Sequence, residues 1–313
     1  MIQMRNGVSI RTYEPPPADF DPLTAPDSLL LRYGFPSRPD AQQFPELRKR
    51  WERELSHKMN YIVPTFHVIE GMTHGPGRTS ETGASGTSLN WSGCVVLVPS
   101  SGDSFQWIEG RWTVPNPYPS TSDGNWDWAS EWIGIDGWNG SGDVLQAGTE
   151  TDAIYTNGSI QRNCYAWWEW FHMGDSGAVS IDNFPVSPGD AIYCLLCVHS
   201  TTSGSFFMRN VSSGDSTSFT VTAAPGVSLV GNCAEWIVER PTVLATNSLS
   251  SLADYSMVYF DESDSFRAGT SGSAKVVLGS GTFLTMIDNN NTPLSVPTDE
   301  SSTSMEVNWE QAN

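Results

Sequence analysis

From Leu89 onward the chain is a succession of short β-prone runs, each closed by a cluster of Gly, Pro, Asn, Asp or Ser. "NWSGCVVLV", "FQWIEGRWTV", "EWIGID", "QRNCYAWWEWF", "DAIYCLLCV", "GSFFMRNV" and "CAEWIVER" are examples. No stretch of helical period interrupts them, and no repeat of fixed length is present. Many short strands at close spacing imply sheets packed on one another, so the pattern predicts an all-β fold, an antiparallel β-sandwich. The composition agrees: 13 Trp, 28 Gly and 20 Pro with only 16% charged residues suit strands and turns rather than helices.

Residues 1–86 differ. They contain Pro-rich segments such as "YEPPPADFDP" and one helix candidate, "PELRKRWERELSHKM" at 45–59. Pro45 suits the first helical position, and Leu47, Trp51, Leu55 and Met59 recur every fourth residue. The run "GMTHGPGRTSETGASGTS" at 71–88 has no periodicity and predicts a flexible linker. The expected organisation is therefore an extension with one helix and a linker over 1–86, then a sandwich domain over 87–313.

Charge divides at the same place. The first 86 residues carry ten basic and ten acidic groups, whereas the rest carry six and 25, which accounts for the whole net charge of −19. Such a balance argues against nucleic acid as a partner, because phosphate contacts need Lys and Arg. An acidic domain repels itself at neutral pH and is relieved as carboxylates protonate, which fits work in acid. No apolar run approaches the roughly 18 residues of a membrane span. "MIQMRNGVSIRTYEPPP" lacks the apolar core of a secretion signal, so the cellular address is left open by the sequence. A soluble monomer is expected. Sequons at Asn90, Asn139, Asn157, Asn210 and Asn290 matter only in a secretory pathway.

The usual catalytic sets are missing. No HExxH, GxSxG or GxxxxGK[ST] motif occurs, and the acidic domain has only His172 and His199, so no metal site and no cofactor is expected. Five cysteines leave at least one thiol unpaired within a monomer, with one bridge possible among the rest. Cys194 and Cys197 of "CLLC" would lie on opposite faces of a strand, as buried small hydrophobes rather than a metal pair.

Three strands share a peculiarity: a core face opposite a face of tryptophan and carboxylate. In "EWIGIDG" the second face carries Trp132, Gly134 and Asp136. In "YAWWEWF" it carries Tyr165, Trp167, Glu169 and Phe171, with Trp168 and Trp170 turned to the core. In "CAEWIVE" it carries Glu235, Ile237 and Glu239. Neighbouring strands of this kind would line one groove with indoles and carboxylates, a surface suited to a ligand.

"LNWSGCVVL", "WTVPNP", "EWIGIDGW", "VLQAGTE", "YAWWEWF" and "CAEWIVE" stand in the order found in the glutamic peptidases (eqolisins), which this chain resembles over about 89–310. The resemblance implies two long curved sheets of a lectin-like jelly roll with a substrate groove, an endopeptidase acting in acid on polypeptides, and extracellular residence. It also implies a catalytic dyad of Gln146 and Glu235, with Trp132, Asp136, Trp167 and Glu169 lining the groove. The chain departs from the pattern at Tyr165, where an aspartate is common, and at Phe171, where a tyrosine is frequent.

A glutamate among indoles is partly desolvated, which raises its pKa and lets it exchange a proton. Glu235 as carboxylate would deprotonate a water attacking the peptide carbonyl, and the Gln146 amide would donate to the oxyanion. Glu235 would then pass the proton to the departing nitrogen. Glu239, about 13 Å further along the strand, is too distant to share the scissile bond and would be a groove residue.

Two other functions compete. A carbohydrate-active sandwich, glucanase or lectin-like, also stacks its ligand on tryptophan, and a glycosidase would need Glu169 and Glu235 roughly 5–9.5 Å apart on neighbouring strands. A non-catalytic binding homologue is the other. For the extension, the locally basic helix could dock over the acidic groove as a pro-segment, or Leu47, Trp51 and Leu55 could pack permanently on the sandwich.

Overall fold

The alternation after Leu89 becomes two layers of antiparallel sheet in the computed structural model, which describes residues 1–4, 7–81, 83–121, 124–172 and 177–312. The first layer runs, edge to edge, through Phe66–Val68, Val179–Ile181, Ser159–Phe171, Val144–Thr156, Asp127–Ile135, Cys233–Glu239, Trp91–Leu97 and Thr282–Ile287. The second runs through Ser9–Thr12, Asp215–Thr222, Ser203–Asn210, Ala191–Ser200, Asp103–Thr113, Met257–Gly269, Ser304–Trp309 and Pro293–Ser301. Thr282–Ile287 also pairs with Pro293–Ser301, so one strand joins the layers along an edge.

The period-two pattern decides what lies between them. Ile133, Ile135, Trp168, Trp170 and Trp236 from the first layer meet Ile108, Trp112, Phe206 and Phe219 from the second, all buried. Each such side chain contributes about 1.5–3 kcal/mol by leaving water. Buried indoles need acceptors, and Trp236 Nε1 donates to the Glu109 carbonyl at 2.8 Å. Gly110 makes room for that ring, since a Cβ there would lie 2.9 Å from it. Cys194 faces this core, and all five cysteines are free thiols.

The extension contains two helices, not the single one expected. The predicted helix runs over Pro45–Ser56 (α2), three residues short of Met59, and a shorter one, Asp27–Arg32 (α1), precedes it. The sequence "PDSLLLR" has the signals of a short helix: Pro before the first turn, an acidic residue in it and a basic residue in the last. Six residues are too few for periodicity to reveal.

Helix α2 does not lie over the groove. Trp51 and Leu55 join Leu30, Tyr33 and Phe35 against Tyr193 and Phe207, on the outward face of the second layer, on the opposite side of the sandwich from the face that carries Gln146 and Glu235. Charge directs the docking: Arg50 bonds Glu109 at 2.9 Å and also pairs with Asp264, while Glu54 receives Arg209 at 3.1 Å.

The extension is also woven into both layers. Ser9–Thr12 pairs with Phe219–Thr222, and Asn60–Tyr61 runs parallel to Asp215–Ser216. Phe66–Val68 extends the first layer beside Val179–Ile181. Met72–Thr73 pairs with Thr242–Val243 in a small separate sheet.

Candidate active site

Four neighbouring strands place one residue each in a single row across the outward face of the first layer. Glu169 is paired with Gln146, Gln146 with Gly134, and Gly134 with Glu235. The next row holds Trp167, Gly148, Trp132 and Ile237, and the row beyond holds Tyr165, Glu150, Ser130 and Glu239. Alternation alone produces this arrangement once the register is set. The opposite faces of the same strands hold Trp168, Trp170 and Trp236 in the core.

Glycine lets Gln146 and Glu235 approach each other. A Cβ on Gly134 would lie 3.0 Å from Glu235 Oε1 and 3.2 Å from Gln146 Cβ, so the two side chains converge over a residue that has none. Gly148 serves the second row, where a Cβ would meet Trp132 Cβ at 2.5 Å. Trp132 Nε1 donates to Glu239 Oε2 at 3.1 Å, and Asn90 Nδ2 donates to the other oxygen of Glu239 at 3.1 Å.

Asp136 has a different position from that of a groove-wall carboxylate. Its backbone is left-handed, at φ 74°, and its carboxylate accepts the amides of Val230, Gly231 and Asn232 at 2.7–3.0 Å. It thereby fixes the loop that feeds directly into Cys233–Glu239 and sets where Glu235 stands.

Within the span expected as linker, residues 72–78 lie along this face. The Gln146 amide Nε2 donates to the His74 carbonyl at 2.5 Å. Glu169 accepts the Thr73 hydroxyl at 2.5 Å and the His74 backbone amide at 2.8 Å. The imidazole stacks flat on Trp167, centroids 3.7 Å apart and planes 10° from parallel. Its Nε2 is 2.9 Å from Glu150 Oε2, and its Nδ1 is 3.3 Å from Glu169 Oε2. The Tyr165 hydroxyl donates to Met72 Sδ at 3.6 Å. Further along, the Gly77 amide donates to the Gly137 carbonyl at 2.9 Å, and the Arg78 amide donates to Asn90 Oδ1 at 2.7 Å. Gly77 has to be glycine, because a Cβ would fall 2.4 Å from the Trp138 ring. Thr82, also within the expected linker, lies outside the described residues.

Burial controls the charges. Glu235 is fully buried, neither carboxylate oxygen has a hydrogen-bond partner among the described residues, and desolvation followed by repulsion from Asp136 holds its pKa well above the usual range. The Cys233 thiol nearby offsets a little of this. Desolvation likewise raises Glu239 to about 8, against the pull of His74. Burial disfavours the His74 imidazolium, but Glu150, Glu169 and Glu239 outweigh it and push His74 up to about 10. Desolvation and Glu150 hold Asp152, further along the same strand, well above its usual range.

The structure thus gathers Gln146, Glu235, Trp132, Trp167, Glu169 and Glu239 on one face. It separates Glu169 from Glu235 by two intervening strands, roughly 14 Å of backbone, so they are not the neighbours a glycosidase pair requires. The sequence reasoning missed His74, Thr73 and Glu150. The available signal was "THGPG", whose glycines permit close approach to another backbone.

Comparison with known proteins places these residues in context. The profile of the Peptidase A4 family matches residues 89–309. The chain is 30% identical over 199 residues to aspergillopepsin-2 of Aspergillus niger, covering 58% of this chain and 66% of that one. It is 27% identical over 170 residues to scytalidopepsin B of Scytalidium lignicola, covering 54% and 58% respectively. The chain therefore spans less than two thirds of the length of these relatives. Among solved structures, scytalido-glutamic peptidase with a transition state analog inhibitor superposes with a TM-score of 0.57 at 22% identity, over 74% of this chain and 100% of that one. That likeness is one of fold.

Proposed function

The chain belongs to the peptidase A4 family, the eqolisins, and from this we propose that it is a glutamic endopeptidase that cleaves polypeptides in acid through Gln146 and Glu235. The observation that carries the reading is the Gln146 amide donating to a peptide carbonyl, that of His74, beside a buried and unpartnered Glu235. An amide that reaches a peptide carbonyl on this face is a donor that can follow the oxygen as it gains negative charge.

In this mechanism Glu235 takes a proton from water as the water attacks the carbonyl carbon. The amide of Gln146, which does not ionise, holds the oxyanion, and Glu235 returns its proton to the leaving nitrogen. With residues 72–78 in place, burial keeps Glu235 from ionising, so the base form is suppressed. Departure of the segment admits water, lowers that pKa and yields the carboxylate the first step needs. Residues 1–86 then act as an inhibitory extension, through the segment at 72–78 rather than the basic helix.

The test is digestion of a denatured protein at pH 3–4 and at pH 7 by the parent chain and by Glu235→Gln, both checked for folding. Cleavage in acid by the parent alone is expected, and Gln146→Ala should retain a rate lower by ~10²–10³. A folded Glu235→Gln chain that cuts at the parental rate would remove the dyad assignment.

A further inference from the structure

In the proposed mechanism the carbonyl held by Gln146 belongs to the residue that precedes the scissile bond, and in this structure Gln146 holds the carbonyl of His74. Its side chain consequently marks the subsite for that position. Three features of the subsite converge on one chemistry. Trp167 offers a flat aromatic face, on which the imidazole ring is stacked at 3.7 Å. Glu150 stands 2.9 Å from one ring nitrogen and Glu169 3.3 Å from the other, so both edges of the ring meet a carboxylate. All four residues are buried, so the charges are not screened by solvent.

We infer that the subsite ahead of the scissile bond is built for a planar cation, and that this protein cleaves preferentially after histidine. The inference rests on the peptidase reading above and adds the side chain that reading leaves open. An imidazolium bonds Glu150, lies within ion-pair distance of Glu169 and stacks as a cation on the indole. Leucine or phenylalanine in the same place would take from Glu150 the ring donor it has here, and sites built to pair polar groups reject analogues that lack them. Lysine brings charge without a plane for Trp167.

The experiment uses the full chain in two forms, the parent after incubation at pH 4 and a His74→Asp chain. The latter sets a carboxylate among carboxylates and so expels residues 72–78. Each is given two synthetic peptides that differ only in His or Leu before a single cleavable bond, at pH 5, where free histidine is charged. Full-length Glu235→Gln is the blank. The expected result is kcat/KM higher for the His peptide by about tenfold or more, with Glu150→Gln reducing that ratio severalfold. Equal rates on the two peptides would overturn the subsite and leave the peptidase reading intact. No cutting above the blank by either chain would overturn both.

Discussion

Gln146 and Glu235 are each paired in register with the same residue, Gly134, one from either side. The close approach of Gln146 and Glu235 therefore depends on a position that carries no side chain. Gly134→Ala places a methyl within 3.2 Å of both residues and 2.8 Å from the Trp132 ring. The backbone at Gly134 is not in the left-handed region, so the fold should survive while the dyad is pushed apart. A loss of roughly 10²-fold in kcat is expected, the scale of an ångström misplacement. Unaltered kinetics in a chain with parental melting would show that the two side chains do not act together.

Trp167 and Trp168 are adjacent in sequence and lie in different clusters, one on the groove face and one between the layers. Trp168→Ala should cost ~3–5 kcal/mol of stability, the usual price of truncating a large core ring. Trp167→Ala removes the platform under His74 and should cost less stability while weakening the hold on residues 72–78. Urea unfolding of the two variants distinguishes them, and equal losses would contradict the assignment of faces.

Helix α2 is fixed by Arg50, whose guanidinium bridges the buried carboxylates of Glu109 and Asp264. Arg50→Met leaves two buried acids short of a partner, for which ~3–5 kcal/mol is typical. Adding Glu109→Gln should restore part of the loss. A double variant no more stable than Arg50→Met alone would mean that the pair is not the source of the effect.

Stability should be greatest in acid. Desolvation raises Glu131 and Glu239 to about 8 and Glu109 to about 7, each from 4.5. For a group whose folded-state value is raised, the stabilisation is complete below its unfolded value and disappears as pH climbs to the folded one. These three therefore favour the fold at pH 4.5 and lose their contribution by pH 7–8. His74 has the same sign: opposed by burial but raised by Glu150, Glu169 and Glu239, it contributes fully below 6.5 and ceases to do so toward 10. Urea midpoints should fall between pH 4.5 and pH 8, with a shallower fall for Glu131→Gln. A flat profile would sink the argument.

The groove face was legible in the sequence because strand alternation is rigid. Once Ile133 and Ile135 are assigned to the core, Trp132 and Gly134 have only the other side available, whereas Asp136, past the end of the strand, turns to the amides of 230–232. The roles proposed for Gln146 and Glu235 rest on a resemblance, since one amide and one carboxylate far apart in sequence carry no local signal. Helix α2 was visible by its period, but its docking site was not. The basic residues matched the overall charge of the domain, whereas the actual partners, Glu109 and Asp264, are two particular acids on the far layer. His74 was hidden for the opposite reason. A Gly-rich segment without periodicity reads as a tether, yet the same glycines let it run against Phe171 and Trp138.

The weaving of residues 1–73 into the sheets changes what a backbone cut would mean. Were the chain severed between His74 and Gly75, the piece before the break would still be hydrogen-bonded to Asp215–Thr222 in one layer and Val179–Ile181 in the other. It would also keep the Arg50 and Glu54 ion pairs and the cluster around Trp51. The product would be a nicked particle of two chains, and the old N-terminal piece would leave only as its strands peeled from the sheet edges. The interval between scission and an open cleft would then be set by the lifetime of those ladders, a built-in delay rather than a trigger.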